Sequence, residues 1–185
     1  MMFTMRALVR ATFVVALVSA AFSPRAASAQ GHAQTRHGFW FNGGLGYGSL
    51  GCQDCGTREG GLSGGIALGG SLSQKVLLGV GTNGWTKSES GATLSVGTLA
   101  ALIRFYPSST GGFFLLGGLG VGRVHLGGAG FDASQTGAAA LVGLGYDIRV
   151  GQNMSLTPYW NGFAMSSSDG GDANVGQIGL GVTVH

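Results

Sequence analysis

Residues 112–126, GFFLLGGLGVGRVHL, alternate with a period of two. Phe113, Leu115, Gly117, Leu119 and Val121 make one row, and glycine at 118, 120 and 122 makes the other. Successive side chains leave a strand on opposite faces, so the period predicts a strand with one greasy face and one bare face. A helix is disfavoured, because each interior glycine costs about 1 kcal/mol against alanine. The run also meets the roughly 9–11 residues that a tilted strand needs to cross a bilayer.

The same design recurs along the chain. Strands are predicted over Phe39–Leu50, Gly60–Leu72, Val76–Thr86, Ala92–Tyr106, 112–126, Gly137–Val150, Met154–Met165 and Asn174–His185. Phe39, Phe41, Leu45 and Tyr47 share a face in the first. In the second, Leu62, Ile66, Leu68 and Leu72 oppose Ser63, Gly65, Ala67, Gly69 and Ser71. Val76, Leu78 and Val80 align in the third, and Leu94, Val96, Ala100 and Leu102 in the fourth. In the sixth, Ala138, Ala140, Val142, Leu144, Tyr146 and Ile148 oppose Ala139, Gly143, Gly145, Asp147 and Arg149. In the eighth, Ile178, Leu180, Val182 and Val184 oppose Gln177, Gly179, Gly181 and Thr183. The seventh aligns Met154, Leu156 and Trp160 but contains Pro158. Proline cannot donate to a ladder, which predicts a bulge or a local break there.

Connections of two kinds alternate. Ser73–Lys75, Pro107–Gly111 and Gly151–Asn153 are short, whereas Gly51–Glu59, Lys87–Gly91, Gly127–Gln135 and Ser166–Ala173 are expected as longer loops. Short turns on the periplasmic side and longer loops outside are the pattern of an outer-membrane barrel. Lipid offers no partner to backbone N–H and C=O groups, so a sheet in it must close. The expected fold is therefore all-β: an eight-stranded antiparallel up-and-down transmembrane β-barrel over 38–185, monomeric, with lipid outside. Its inward set is small: Gly65, Ala67, Gly69, Ser95, Gly97, Gly118, Gly120, Gly143, Gly145, Gly179 and Gly181. Either side chains from the opposite wall fill the space above the glycines, or the interior holds water.

The first residues lie outside this pattern. Arg6 and Arg10 precede an apolar run over 11–22, Ser23–Pro24 breaks it, and Ala27-Ser28-Ala29 offers small residues for cleavage. This is the layout of a secretory signal peptide, 1–29, cleaved after Ala29, and 30–37 remain as a short leader. Cleavage removes Arg6, Arg10 and Arg25, leaving seven basic and seven acidic residues, so the net charge falls from +3 to about zero. No basic cluster then suggests a nucleic-acid partner. All 38 glycines follow position 30, and only 9% of residues are charged. Soluble domains carry about 25% charge, so this poverty also points to a surface facing lipid.

Several motifs have plain readings. Gly79-Val80-Gly81-Thr82-Asn83-Gly84 fits the dinucleotide pattern, but no helical period follows it, so it reads as strand glycine. Cys52 and Cys55, the only cysteines, lie in an expected loop. Zinc would need two more ligands, and a redox motif would need a βαβ context, so a structural disulfide in an oxidising compartment is expected. Asp147 and Arg149 are expected inside as paired lumen charges. Arg104 and Arg123 fall on apolar parities, so each is expected beyond the hydrocarbon edge or after a bulge, Arg104 with snorkelling at the periplasmic interface as a further option. Trp40, Trp85, Trp160, Tyr47, Tyr106, Tyr146 and Tyr159 fall near strand ends, as interfacial belts do, with Tyr159 and Trp160 deeper. No cofactor or metal site is read.

The phrases FFLLGGLGVG at 113–122, LVGLGYDIRV at 141–150 and NMSLTPYW at 153–160 resemble the small eight-stranded outer-membrane barrels of the OmpA/OmpX-like group. The resemblance covers about residues 38–185. It implies outer-membrane lipid and the barrel-assembly machinery as partners. Barrels of this kind end on an aromatic residue that the machinery reads, and His185 departs from that. The function expected is a non-enzymatic integral outer-membrane protein with a structural or adhesin-like role, its surface ligand unnamed. The alternatives on the same barrel are a lipid-modifying enzyme using His125, Asp132 and Ser134, and a narrow channel. A disulfide closing so short a ring adds little stability. Reduction is therefore expected to leave the fast-migrating folded band of an unheated gel intact, and loss of that band on reduction would contradict this reading.

Overall fold

In a computed structural model, residues 35–52, 56–128, 130–166 and 172–185 are described. Nine strands follow in order: β1 Phe39–Cys52, β2 Glu59–Ser71, β3 Val76–Glu89, β4 Ala92–Phe105, β5 Phe113–Gly128, β6 Phe131–Tyr146, β7 Ile148–Arg149, β8 Met154–Ser166 and β9 Asp172–Val184. Neighbouring strands pair antiparallel from β6 back through β1 to β9 and β8, and β6 pairs with β8. That last pairing closes the sheet. The short β7 continues the line of β6 against β8, so the barrel has eight staves.

The pairing with β8 lapses at Tyr146 and Asp147, opposite Pro158 and Thr157. Gly145 pairs with Tyr159 and Ile148 with Leu156, so the register is unchanged across the gap. Pro158 thus makes a local break rather than a bulge, because it lacks the N–H but adds no residue.

The large apolar side chains point out. Leu45, Leu62, Leu119 and Ile178 are 61–73% exposed, as are Ile66, Leu68, Leu115 and Leu180 to a lesser degree. This is the alternation of a lipid-facing barrel, apolar outside and a mixed interior. The fourth segment is turned over relative to expectation. Val96, Ala100 and Leu102 are buried inside, and Leu99, Ile103 and Phe105 face out, so Ser95 and Gly97 lie on the outer face. The run Leu99–Phe105 is apolar on both parities, which leaves the period unable to choose. Closure chooses, because each strand must match its neighbours' pleat.

The interior is filled. Trp40 and Trp85, expected in interfacial belts, are buried within the barrel, as is Tyr106, whereas Tyr47, Tyr146 and Trp160 do face outward. The indoles need the glycine wall. A Cβ on Gly79 would lie 2.7 Å from the Trp40 ring, one on Gly48 2.7 Å from Trp85, one on Gly145 2.5 Å from Phe114, and one on Gly179 2.5 Å from Tyr159. Of the two outcomes open in the sequence, large side chains resting on bare backbone is the one realised.

At the end away from the chain termini, two of the four expected loops are mostly strand. Ser90–Gly91 alone joins β3 to β4, and 129–130 alone joins β5 to β6. Both turn residues of the first have positive φ, 52° and 81°, as a two-residue hairpin turn whose twist matches the strands requires. Lys87–Gly91 and Gly127–Gln135 are therefore tight hairpins. The longest connection of the opposite end, Tyr106–Gly112, exceeds both.

Gly145→Ala is expected to destabilise the barrel by about 2 kcal/mol, since Phe114 cannot retreat through the packed core. Gly176→Ala meets nothing within 4 Å and is expected to change stability by less than about 0.5 kcal/mol. Urea titration in micelles, read by tryptophan fluorescence, measures both.

Candidate functional site

Two polar regions stand out, one inside the terminal end and one on the outer face of the distal end. The first is organised around Asp147, which is 1% exposed. Its inward parity continues β6, and the ladder gap at Pro158 leaves room for side chains to converge on it. Tyr106 donates its hydroxyl to Oδ2 at 2.7 Å, and Thr157 donates to Oδ1 at 2.7 Å. Asn42 Nδ2 donates to Thr183 at 2.9 Å, and the Thr183 and Thr157 hydroxyls lie 2.8 Å apart. With Thr157 spent on Asp147, Thr183 must be the donor to Thr157. The chain of donors then runs in one direction from Asn42 to the carboxylate, the arrangement in which successive hydrogen bonds polarise one another. The His185 ring stands 3.7 Å from Oδ2.

Arg36 closes this end from below. It precedes β1, is fully buried, and stacks 3.5 Å over the Tyr106 ring. Its guanidinium donates to the carbonyls of Gln74, Ser109 and Gly111, and its backbone N–H donates to Gln74 Oε1. The leader is thereby stitched to two turns of the barrel rim. Burial draws the Arg36 guanidinium below its ordinary pKa and pushes the Tyr106 phenol up.

Arg104 is likewise inside, 4% exposed, with its guanidinium 4.8 Å from the Trp40 ring and 4.4 Å from Phe114. The snorkelling expected of it is overturned with the parity of its strand. Of the two expected lumen charges, Asp147 is enclosed and Arg149 lies half-buried at the rim, donating to the Gly151 carbonyl at 3.0 Å. Arg36 and Tyr106 were missed by sequence reasoning. The parity of Arg104 with Leu102 and Ala100 was the available signal for the inner face of β4, which carries on to Tyr106.

The distal region is a sheet that outruns the apolar belt. Beyond Val121 and Leu99 the outward rows turn polar: Thr86, Ser95, His125 and Ser134 are successive register partners across β3 to β6. Thr86 and Ser95 hydroxyls lie 3.1 Å apart, and those of Ser88 and Thr93 2.8 Å. Lys87 bridges Glu59 and Glu89 at 2.7 Å each, and Arg58 ties Ser49 to Asn174. His125, Asp132 and Ser134 do share this face. However, His125 Nδ1 is 3.7 Å from Asp132, and Ser134 Oγ accepts from Arg123 at 2.9 Å instead of contacting the imidazole. A nucleophile and its base sit within hydrogen-bond reach, and among the described residues no hydrogen bond joins Ser134 to His125. Arg123 is exposed beyond the belt, as expected. Cys52 is disulfide-bonded, and Cys55 lies outside the described residues. Among the described residues, no three His, Cys, Asp or Glu side chains converge on a metal-sized site.

No protein-family model and no characterised protein matches the sequence. Solved structures do match the fold. Neisserial surface protein A aligns with a TM-score of 0.58 at 18% identity, over 82% of this chain and 99% of its own. Ail, the attachment invasion locus protein of Yersinia pestis, in complex with the heparin analogue sucrose octasulfate, aligns with a TM-score of 0.59 at 14% identity, over 80% of this chain and 99% of its own. The chain has the fold of an eight-stranded outer-membrane β-barrel. Its apolar belt faces out, as in a lipid-facing barrel, and the Asp147 network and the distal sheet occupy its two ends.

Asp147→Ala is expected to cost about 3 kcal/mol of stability, because the hydroxyls of Tyr106 and Thr157 and the nearby guanidinium groups lose a buried acceptor. Tyr106→Phe is expected to cost about 1–2 kcal/mol. Because the two share one hydrogen bond, the double variant should fall short of their sum, which denaturant unfolding in micelles measures.

Proposed function

We propose that this barrel is a non-enzymatic surface-interaction protein, held in the outer membrane by its belt and presenting the distal ends of β3 to β6 to the exterior. The observation that carries the reading is the polar outward row Thr86–Ser95–His125–Ser134, on four strands that stay paired above the apolar belt. Paired backbone keeps such a face rigid, which lowers the ordering cost of binding. The signal peptide, with cleavage after Ala29, delivers the chain to the periplasm, where both ends of the barrel domain stay. Outer-membrane lipid and the barrel-assembly machinery are its partners during insertion, and the barrel works as a monomer. Cys52 and Cys55 shape the β1–β2 connection at the presented end.

Ail, an attachment invasion locus protein, forms a complex with the heparin analogue sucrose octasulfate, so a sulfated glycan is the first surface to try here. Arg58 and Arg123 supply cationic groups at the presented end. Filling of the interior by Trp40, Trp85, Phe114 and Tyr159 weighs against the channel reading, and the Arg123–Ser134 contact weighs against the lipase reading.

Cells displaying the barrel are expected to attach to immobilised heparin above empty-vector cells, and the double variant Arg58→Glu, Arg123→Glu to return to that baseline. Attachment no greater than the vector control would remove the sulfated-glycan proposal. In planar bilayers the purified barrel is expected to be silent, and steady ion conductance would restore the channel.

A further inference from the structure

Above the apolar belt the barrel wall is open along one seam. β6 pairs with β5 along its whole length, up to Phe131 opposite Gly128. On its other side β6 pairs with β8 only as far as Ala138 opposite Ser166. Residues 131–137, FDASQTG, therefore have no strand partner on the β8 side among the described residues. Hydrocarbon forbids such an edge, whereas water hydrates the free groups and tolerates it.

The ladder decides which groups face the opening. The Asp147 N–H donates to the Gly112 carbonyl, so the odd-numbered residues in the line of β6 turn their N–H and C=O toward β5. The even-numbered residues turn theirs the other way. Lower down these meet β8, but at Asp132, Ser134 and Thr136, all exposed, they meet solvent. Side chains leave this edge clear. Arg123 donates to Ser134 at 2.9 Å and His125 lies 3.7 Å from Asp132, so both contacts lean toward β5. Natural sheets guard an edge with lysine, proline or a bulge. Residues 131–137 contain no lysine or proline, and their register with β5 is unbroken. A shorter lapse at this end, between β2 and β3 above Leu62 and Thr86, is guarded, because Lys87 crosses it to Glu59.

We propose that the free edge of β6 takes an extended segment of another protein as an added antiparallel strand. Its donors and acceptors recur at every second residue, about 7 Å apart, which is the repeat of an antiparallel polypeptide. Main-chain bonds supply the affinity, and alternate side chains select the partner. Asp132, with its side chain 76% exposed, is the one charge on this edge. A basic residue therefore belongs opposite it, and hydroxyl or β-branched residues opposite Ser134 and Thr136. A second copy does not fit. Two upright copies in one membrane tilt their β6 strands by about 35–45° in opposite senses, so the edges cross instead of laddering. The proposal rests on the same outward presentation of this end as the glycan reading, but it uses backbone groups that a glycan on Arg58 and Arg123 leaves idle.

The probe is a fluorescent synthetic peptide that alternates valine with threonine and carries one lysine placed to face Asp132. It is added to the intact barrel in micelles and followed by anisotropy. Saturable binding is expected, and glutamate in place of that lysine should weaken it. Thr136→Pro removes an edge N–H that the fold does not use, so the barrel should fold and the affinity should fall about tenfold. Thr136→Val keeps the N–H and should bind as the unaltered barrel does. Attachment of cells to heparin should be unchanged by Thr136→Pro, so the glycan reading and this one fail separately. In amide hydrogen exchange of the unaltered barrel, Asp132, Ser134 and Thr136 are expected to exchange fast and Ala133 and Gln135 slowly, and the peptide to slow the first three. No binding at millimolar peptide, equal affinity in Thr136→Pro, or no slowing of those three amides would each overturn the edge site. A barrel dimer that Thr136→Pro dissolves would overturn the foreign segment as its occupant. The exchange measurement decides even if Thr136→Pro fails to fold.

Discussion

Backbone hydrogen bonding in a solvent that offers none is the constraint from which this molecule follows. Within hydrocarbon, an unpaired N–H or C=O costs several kcal/mol, so a spanning sheet cannot have an edge. Here β6 meets β8 and β1 meets β9, and the ring is complete. Among the described residues, the ladder gap at Pro158 lies toward the terminal end, where the Asp147 network adds side-chain bonds beside it. Asp147 N–H itself turns to the Gly112 carbonyl at 2.9 Å. A proline that looks like a misfit in a strand is thus the feature that opens space for the buried carboxylate.

Closing only eight strands creates a second demand, because the interior is just wide enough for side chains to fill. This chain meets it by dividing labour between bare and bulky positions. Glycine on one stave lets an aromatic ring from another lie against its backbone, as at Gly79 with Trp40 and Gly145 with Phe114. Packing of this kind leaves little room to adapt, so polar groups inside must find partners within a tight frame. Many do, through the Asn42–Thr183–Thr157–Asp147 chain and through Gln177 donating to Asn83 at 3.0 Å. Others do not, among them the Arg104 edge donors and the hydroxyls of Ser63, Thr98 and Tyr159.

Much of this was readable from the period of two. Seven of the predicted faces depended on rows such as Leu62–Ile66–Leu68 or Ile178–Leu180–Val182, where one parity is plainly bulkier, and those rows face out. The face of β4 was not readable, because Leu99–Phe105 carries apolar residues on both parities and only the neighbouring strands decide its pleat. The tryptophans misled for a related reason. Position near a strand end suits an interfacial belt, but Trp40 and Trp85 sit on the inward parity, and the glycines that receive them come from other strands. Loop length was overestimated at Gly127–Gln135, where polar residues on exposed, paired strands look in sequence like a loop. The site at Asp147 was half visible: parity put the carboxylate inside, but its partners Tyr106, Thr157 and Thr183 come from distant segments that no local pattern connects.

Tryptophan provides the most direct test of which side of the wall meets lipid. Three single-tryptophan forms, retaining only Trp40, Trp85 or Trp160, can be refolded into bilayers whose acyl chains carry bromine, a contact quencher. The account predicts strong quenching of Trp160, which is 43% exposed on the outer face, and little for Trp40 and Trp85, which are 0% and 2% exposed. Quenching of Trp40 or Trp85 as strong as that of Trp160 would mean that the wall is turned the other way, and the membrane account would fall.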